Sequence, residues 1–165
     1  MHVVFNTMGR TCPTLPTLEK RVKESEKPKT PYVEVVKRLN LLFTCETDGR
    51  FTENSVDWGL DVTGWSWSSR FADLDNDQCQ DVYVVNGVNI KKEWASNKFL
   101  RNIEGQHFVD QTEKAGLTSH LTAGAFSFLD IDSDGDQDII TVPFDVLPIF
   151  HLNQMDSGNS IDIEL

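Results

Sequence analysis

The sequence predicts an all-β fold made of repeated four-stranded antiparallel sheets. Three observations carry that prediction: an internal repeat, short β-branched runs bounded by turn residues, and very little helical periodicity. At an offset of 57 residues the chain matches itself without a gap from 51 to 144. Phe51 falls on Phe108, Gly59-Leu60 on Gly116-Leu117, Phe71 on Phe128 and Val85 on Val142, while Asp73, Asp75, Asp77 and Asp81 fall on Asp130, Asp132, Asp134 and Asp138. Asn40-Leu41-Leu42-Phe43 falls on Asn97-Lys98-Phe99-Leu100 at the same offset, so one unit spans 40–96 and the next 97–147. A third begins within 148–165, near Pro148-Ile149-Phe150-His151-Leu152-Asn153.

Taken in order, residues 1–39 lie outside this pattern. Thr17 to Lys27 is charged, with Glu and Lys three or four apart as in a loose helix, and Pro13, Pro16, Pro28 and Pro31 punctuate the segment. The segment is expected to be a divergent or flexible extension. Within the units, Ser66 to Ala72 and Ala123 to Leu129 lead into aspartate clusters, and Val82 to Val85 and Ile139 to Val142 leave them. These runs have strand length and β-branched or aromatic composition. Lys98 to Arg101 and His107 to Asp110 form a hairpin around Gly105. Helix is expected only in short pieces, Thr112 to Ala115 closed by Gly116 and Lys91 to Ala95. Four strands in a unit of this length is what one β-propeller blade requires.

The aspartate clusters, Asp73-Leu74-Asp75-Asn76-Asp77-Gln78-Cys79-Gln80-Asp81 and Asp130-Ile131-Asp132-Ser133-Asp134-Gly135-Asp136-Gln137-Asp138, place carboxylates at loop positions 1, 3, 5 and 9. Crowded like charges repel, and a hard cation removes that penalty. Ca²⁺ takes oxygens from alternate residues of a tight loop, here supplemented by the backbone carbonyls of Cys79 and Asp136 at position 7, and suits such a loop better than Mg²⁺. An EF-hand would need a Glu at position 12 and helical flanks, whereas Val84 and Thr141 stand there between strands. Position 6 favours a positive φ, which Gly135 adopts freely and Gln78 only at a cost of about 1 kcal/mol, so the second loop is the more secure site. An acidic turn without metal is the competing reading of both loops.

The segments Gly64-Trp65-Ser66-Trp67, Phe71-Ala72-Asp73-Leu74-Asp75-Asn76-Asp77 and Asp81-Val82-Tyr83-Val84-Val85-Asn86-Gly87 resemble the FG-GAP or VCBS repeats of calcium-binding β-propellers. Closest is the ASPIC/UnbV and cartilage-acidic-protein group. Phe99-Leu100-Arg101-Asn102, Phe108-Val109-Asp110 and Ala115-Gly116-Leu117 are similar to the hairpin that links blades there, and Gly158 to Leu165 looks like the entry to an ASPIC/UnbV module. The resemblance implies a secreted or cell-surface propeller that binds Ca²⁺ on its loops and an extracellular protein or carbohydrate partner. With two complete blades and part of a third, no visible signal peptide, and Gln78 where the family has glycine, the chain is expected to be a fragment. Its open blade edges are expected to invite self-association.

Charge agrees with a cation-seeking surface. Residues 1–50 carry nine basic and six acidic side chains, and the remainder carries six and twenty, a net charge of -14 that repels nucleic-acid phosphate and anionic lipid. No membrane span is expected, because no long apolar run occurs. Cys12, Cys45 and Cys79 are too few and too scattered for a disulfide framework or a zinc knuckle. Gly64-Trp65-Ser66-Trp67-Ser68 lacks the final glycine of a nucleophile elbow, so Trp65 and Trp67 read as core or inter-blade packing. His2, His107, His120 and His151 form no metal or acid–base pattern. The ions are therefore expected to be structural and the chain not to be an enzyme. The alternative is a propeller lyase or hydrolase whose catalytic residues lie outside this chain.

Overall fold

Residues 2–6, 40–45, 47–61, 63–64, 66–87 and 96–155 are described by the computed structural model. They form ten strands: β1 (His2–Asn6), β2 (Asn40–Cys45), β3 (Phe51–Glu53), β4 (Ser66–Ala72), β5 (Asp81–Asn86), β6 (Lys98–Ile103), β7 (His107–Asp110), β8 (Ala123–Leu129), β9 (Asp138–Pro143) and β10 (Ile149–His151). Pairing is antiparallel throughout and yields three sheets, β1-β2-β3, β4-β5-β6-β7 and β8-β9-β10.

The repeat read from side chains returns in the backbone. Trp58, Gly59 and Leu60 donate to Asn54, Val56 and Ser55, and 57 residues on, Ala115, Gly116 and Leu117 donate to Gln111, Glu113 and Thr112. The Ser55 hydroxyl accepts the Leu42 N–H at 2.7 Å, as the Thr112 hydroxyl accepts that of Phe99 at 2.9 Å. Both β4–β5 and β8–β9 carry a bulge at the same place, between Ser66 and Ser68 and between Ala123 and Ala125. The β6–β7 turn spans 104–106 between the paired Ile103 and His107 and places Glu104 and Gly105 at φ 53° and 71°, consecutive left-handed residues of the kind that match strand twist.

Two expectations change. Thr112 to Ala115 is a hydrogen-bonded turn ended by Gly116 at φ 70° rather than a helix, because one turn cannot offset the cost of helix nucleation. No helix occurs among the described residues; Lys91 to Ala95 and Thr17 to Lys27 lie outside them. The first residues of the expected extension are not apart from the sheets. His2–Asn6, with Val3, Val4 and Phe5 in a β-favouring run, pairs residue for residue with positions 40–44 of β2.

The sheets stack face to face with the four-stranded one in the middle, so β5 is buried on both sides. Its Val82 and Val84 join Leu42, Leu60, Leu100 and Phe108 in a core against the first sheet, with Phe71 and Trp58 packed on it. Tyr83 and Val85 join Ala72, Leu74, Phe99, Ala123, Phe126 and Ile139 in a second core against the third sheet. This explains why β5 reads as a continuous apolar run rather than an alternating one. Gly59 is required where the first core closes: its φ is +73°, and a Cβ there would lie 2.9 Å from the Phe108 carbonyl oxygen.

The bulged residues exchange roles between the repeats. In the middle sheet the bulge residue is Trp67, whose indole covers Gly87, and a Cβ on Gly87 would lie 1.5 Å from it. In the third sheet the bulge residue is Gly124, covered by Phe144, the counterpart of Gly87. Trp67 and Phe144 then meet edge to face at 5.8 Å, tying one sheet to the next, while Trp65 lies outside the described residues. Gly87→Ala is expected to cost about 1–3 kcal/mol through overpacking. The same change in a Trp67→Ala background should be nearly neutral, and a double-mutant cycle in urea measures the difference.

Candidate metal centre

Each aspartate loop joins the paired strands before and after it, β4 to β5 and β8 to β9, and the two fold through matching hydrogen bonds. Asp73 accepts the N–H groups of Asp77 and Gln78 at 3.0 and 2.8 Å, and Asp130 those of Asp134 and Gly135 at 3.2 and 3.0 Å. Asp77 accepts the Cys79 N–H and Asp134 the Asp136 N–H, at 2.8 and 3.0 Å. At position 9, Asp81 accepts from Leu74 and Asn102 at 3.1 and 2.7 Å, and Asp138 accepts from Ile131 and Asn153, each at 2.7 Å. Asp81 and Asp138 are fully buried and fasten each loop to the chain of a neighbouring strand, at Asn102 within β6 and at Asn153 just past β10.

The result in each loop is a group of three carboxylates, Asp73, Asp75 and Asp81 or Asp130, Asp132 and Asp138, with one oxygen from each lying within 4.8 Å of the others. Such all-carboxylate groups fit a hard cation, the remaining positions falling to carbonyls or water. Of the other position-5 and position-7 residues, Asp77 and Asp134 turn toward the backbone as described. Asp136 accepts a hydrogen bond from Asn76 of the first loop, linking the two loops, and Cys79 is partly exposed with a free thiol. Cys45 forms no disulfide among the described residues, and Cys12 lies outside them.

Electrostatics reflect the crowding. Although Asp132 is exposed, partial loss of solvation in the loop, followed by the neighbouring Asp134 and Asp138 charges, raises it from the ordinary carboxylate value. Burial pushes Asp81 up to about 7 despite its two backbone donors, with Asp75 and Asp77 adding to the rise. Asp75 is raised too, chiefly by burial and against the attraction of Arg101.

Position 6 has positive φ in both loops, 71° at Gln78 and 92° at Gly135, as expected from its place in the turn. Position 4 does as well, 54° at Asn76 and 62° at Ser133, a requirement that side-chain spacing alone does not reveal.

A second difference between the loops was not read from the sequence. The Arg101 guanidinium of β6 pairs with Asp75 and reaches Asp77 at 3.2 Å. The strand pairings place Leu100 opposite Val82 and His151 opposite Ile139, so the residue of the third sheet that matches Arg101 is Leu152, which carries no charge. The first loop thus has a cation of its own, and among the described residues no basic side chain is paired with the second. Aligning Phe99-Leu100-Arg101-Asn102 with Phe150-His151-Leu152-Asn153 carries that signal, though not the direction in which Arg101 reaches.

The chain matches no protein-family model, no curated protein and no solved structure. Among the described residues no helix is long and apolar enough to cross a membrane.

Proposed function

We propose that the chain is a calcium-binding β-propeller module, whose ions hold the loops of stacked sheets in shape for extracellular adhesion or recognition of a protein or carbohydrate. The observation that carries this reading is the duplicated loop: two segments 57 residues apart, folded through the same hydrogen bonds, each gather three carboxylates. Ca²⁺ is the ion of choice because the donors are all oxygens and because it accepts irregular coordination at longer metal–oxygen distances than the tight octahedron of Mg²⁺. The stacked antiparallel sheets, with a four-stranded sheet in the middle, support a blade arrangement. The role is structural, since the same carboxylates already organise the backbone around them.

Calorimetric titration and thermal melts in Ca²⁺, Mg²⁺ and EGTA test this. Ca²⁺ at about a hundredfold excess over its Kd should add about 2.7 kcal/mol per occupied site, and Mg²⁺ should add less. A melting temperature unmoved by Ca²⁺ and EGTA would refute the metal reading. The second loop should bind more tightly, having Gly135 at position 6 and no competing guanidinium. Gln78→Gly and Arg101→Leu should each tighten the first site by about fivefold, the equivalent of ~1 kcal/mol.

A further inference from the structure

In the first core, Phe108 of β7 packs with Leu42, Leu60, Val82 and Leu100. Its ring lies 6.0 Å from that of Trp58, its N–H donates to the Trp58 carbonyl at 2.8 Å, and its carbonyl oxygen occupies the space beside Gly59. One repeat on, Phe99, Leu117, Ile139 and His151 stand at the matching places, with Ala115 for Trp58 and Gly116 for Gly59. In place of a packed ring, Phe99, Ala115, Leu117, Ile139 and His151 line a cavity of about 300 Å³, and a Cβ on Gly116 would meet nothing within 4 Å. The cavity is continuous with the second core, since Phe99 and Ile139 belong to both. The third sheet has three strands where the middle sheet has four, and β10 is its edge among the described residues. The cavity is thus the room that β7 and its aromatic anchor take up in the middle sheet.

We propose that this cavity and the β10 edge form a docking site for an extended segment of another polypeptide, which runs antiparallel to β10 and inserts one bulky apolar side chain where the middle sheet has Phe108. The molecule itself shows what such a place accepts, because the equivalent cluster one sheet earlier is closed by a strand. A strand fits better than a small ligand. The Ala115 carbonyl, matching that of Trp58, is placed to take the N–H of the anchor residue, and the open space beside Gly116 leaves room for the anchor's carbonyl, as Gly59 does for that of Phe108. Strand addition draws its affinity from main-chain hydrogen bonds and its specificity from pockets for alternate side chains. Here one pocket selects the anchor, and the residues on either side of it point away from the core. Ala115 is smaller than Trp58, so the anchor can be as large as tryptophan. The chain does not supply that anchor at the spacing of β6 and β7. Phe108 pairs with Asn102 and follows it by six residues, and six residues after Asn153, the counterpart of Asn102, stands the polar Asn159. This proposal stands independently of the calcium reading.

Fluorescence anisotropy of a labelled peptide titrated with the full chain, in EGTA, tests it. The probe is a synthetic copy of residues 105–112 carrying Phe108→Trp, and its control carries Phe108→Asp. The expected result is saturable binding of the probe and binding of the control weaker by about tenfold or more, as for loss of a buried aromatic anchor. In the protein, Ala115→Glu sets a carboxylate on the cavity wall at an exposed position, and should weaken the probe by about tenfold or more with unchanged melting. A peptide that merely displaced β7 would be indifferent to that substitution. Absence of saturable binding at millimolar peptide, equal binding of probe and control, or binding that survives Ala115→Glu would overturn the proposal. So would binding that appears only in an Ile161→Asp variant, because the chain's own end would then be the occupant.

Discussion

Replacing Tyr83 with alanine is expected to cost about 3–5 kcal/mol, the range for removing a large aromatic side chain from a tight core. Tyr83 has no exposed surface and meets Phe126 and Phe128 edge to face, with ring centroids 5.0 and 6.5 Å away. Phe126 and Phe128 are themselves edge to face at 5.3 Å, so the three rings form one contact between the middle and third sheets. The Tyr83 hydroxyl accepts a hydrogen bond from the Asn97 amide at 3.3 Å. Tyr83→Phe therefore isolates the polar contribution and should cost about 1 kcal/mol. The difference between the two variants in urea midpoint measures the packing contribution. A loss below ~1 kcal/mol for Tyr83→Ala would show that the two sheets do not depend on this contact.

The second large effect is expected from Asp81→Ala. Its carboxylate takes up the N–H groups of Leu74 and Asn102 at a fully buried position. Alanine orphans both donors, at about 1–3 kcal/mol each, or ~2–6 kcal/mol together. Asparagine, with one amide oxygen of the same reach, should recover about half of that. The loss depends on pH in ion-free buffer. Asp81 titrates near 7 in the folded chain against 3.8 ordinarily, so between those values the folded state keeps a proton that the unfolded state has released. Wild-type stability from this group is therefore full below the lower value and falls as pH rises through the window. Asp81→Ala lacks this fall, so the gap between variant and wild type should narrow from pH 4 to pH 8. Denaturant midpoints across that range check it, and a gap that widens with pH would contradict the assignment.

Much of this architecture is legible in the residues. The offset of 57 places β4, β5, β8, β9 and the two loops, because a turn that needs carboxylates at fixed positions and strands that need β-branched residues leave a pattern in single residues. Partner choice is less legible. The periodicity of Val82 to Val85 gives a strand, but burial on both faces comes from sheets brought in by β2 and β8, distant in the chain. The pairing of His2–Asn6 with β2 spans more than thirty residues and leaves no local trace beyond a short apolar run. Arg101 reads as an ordinary exposed strand residue, and only the placement of β6 beside the loop sets its charge against Asp75 and Asp77. The exchange between Trp67 over Gly87 and Phe144 over Gly124 is visible at offset 57 as two mismatches, whose compensation requires the strands to be paired first.

The four-stranded sheet takes β4 and β5 from the unit at 40–96 and β6 and β7 from the unit at 97–147. The unit seen by eye in the letters is therefore offset by half from the unit that closes hydrogen bonds. A chain divided at residue 96 or transplanted at that joint would part β5 from β6, tearing the ladder in which Val82 faces Leu100 and Tyr83 faces Phe99. A joint placed in the turn between Gln111 and Thr122 keeps that sheet whole. For anyone grafting, permuting or lengthening this scaffold, the seam lies after β7 and before β8, where no strand ladder is cut.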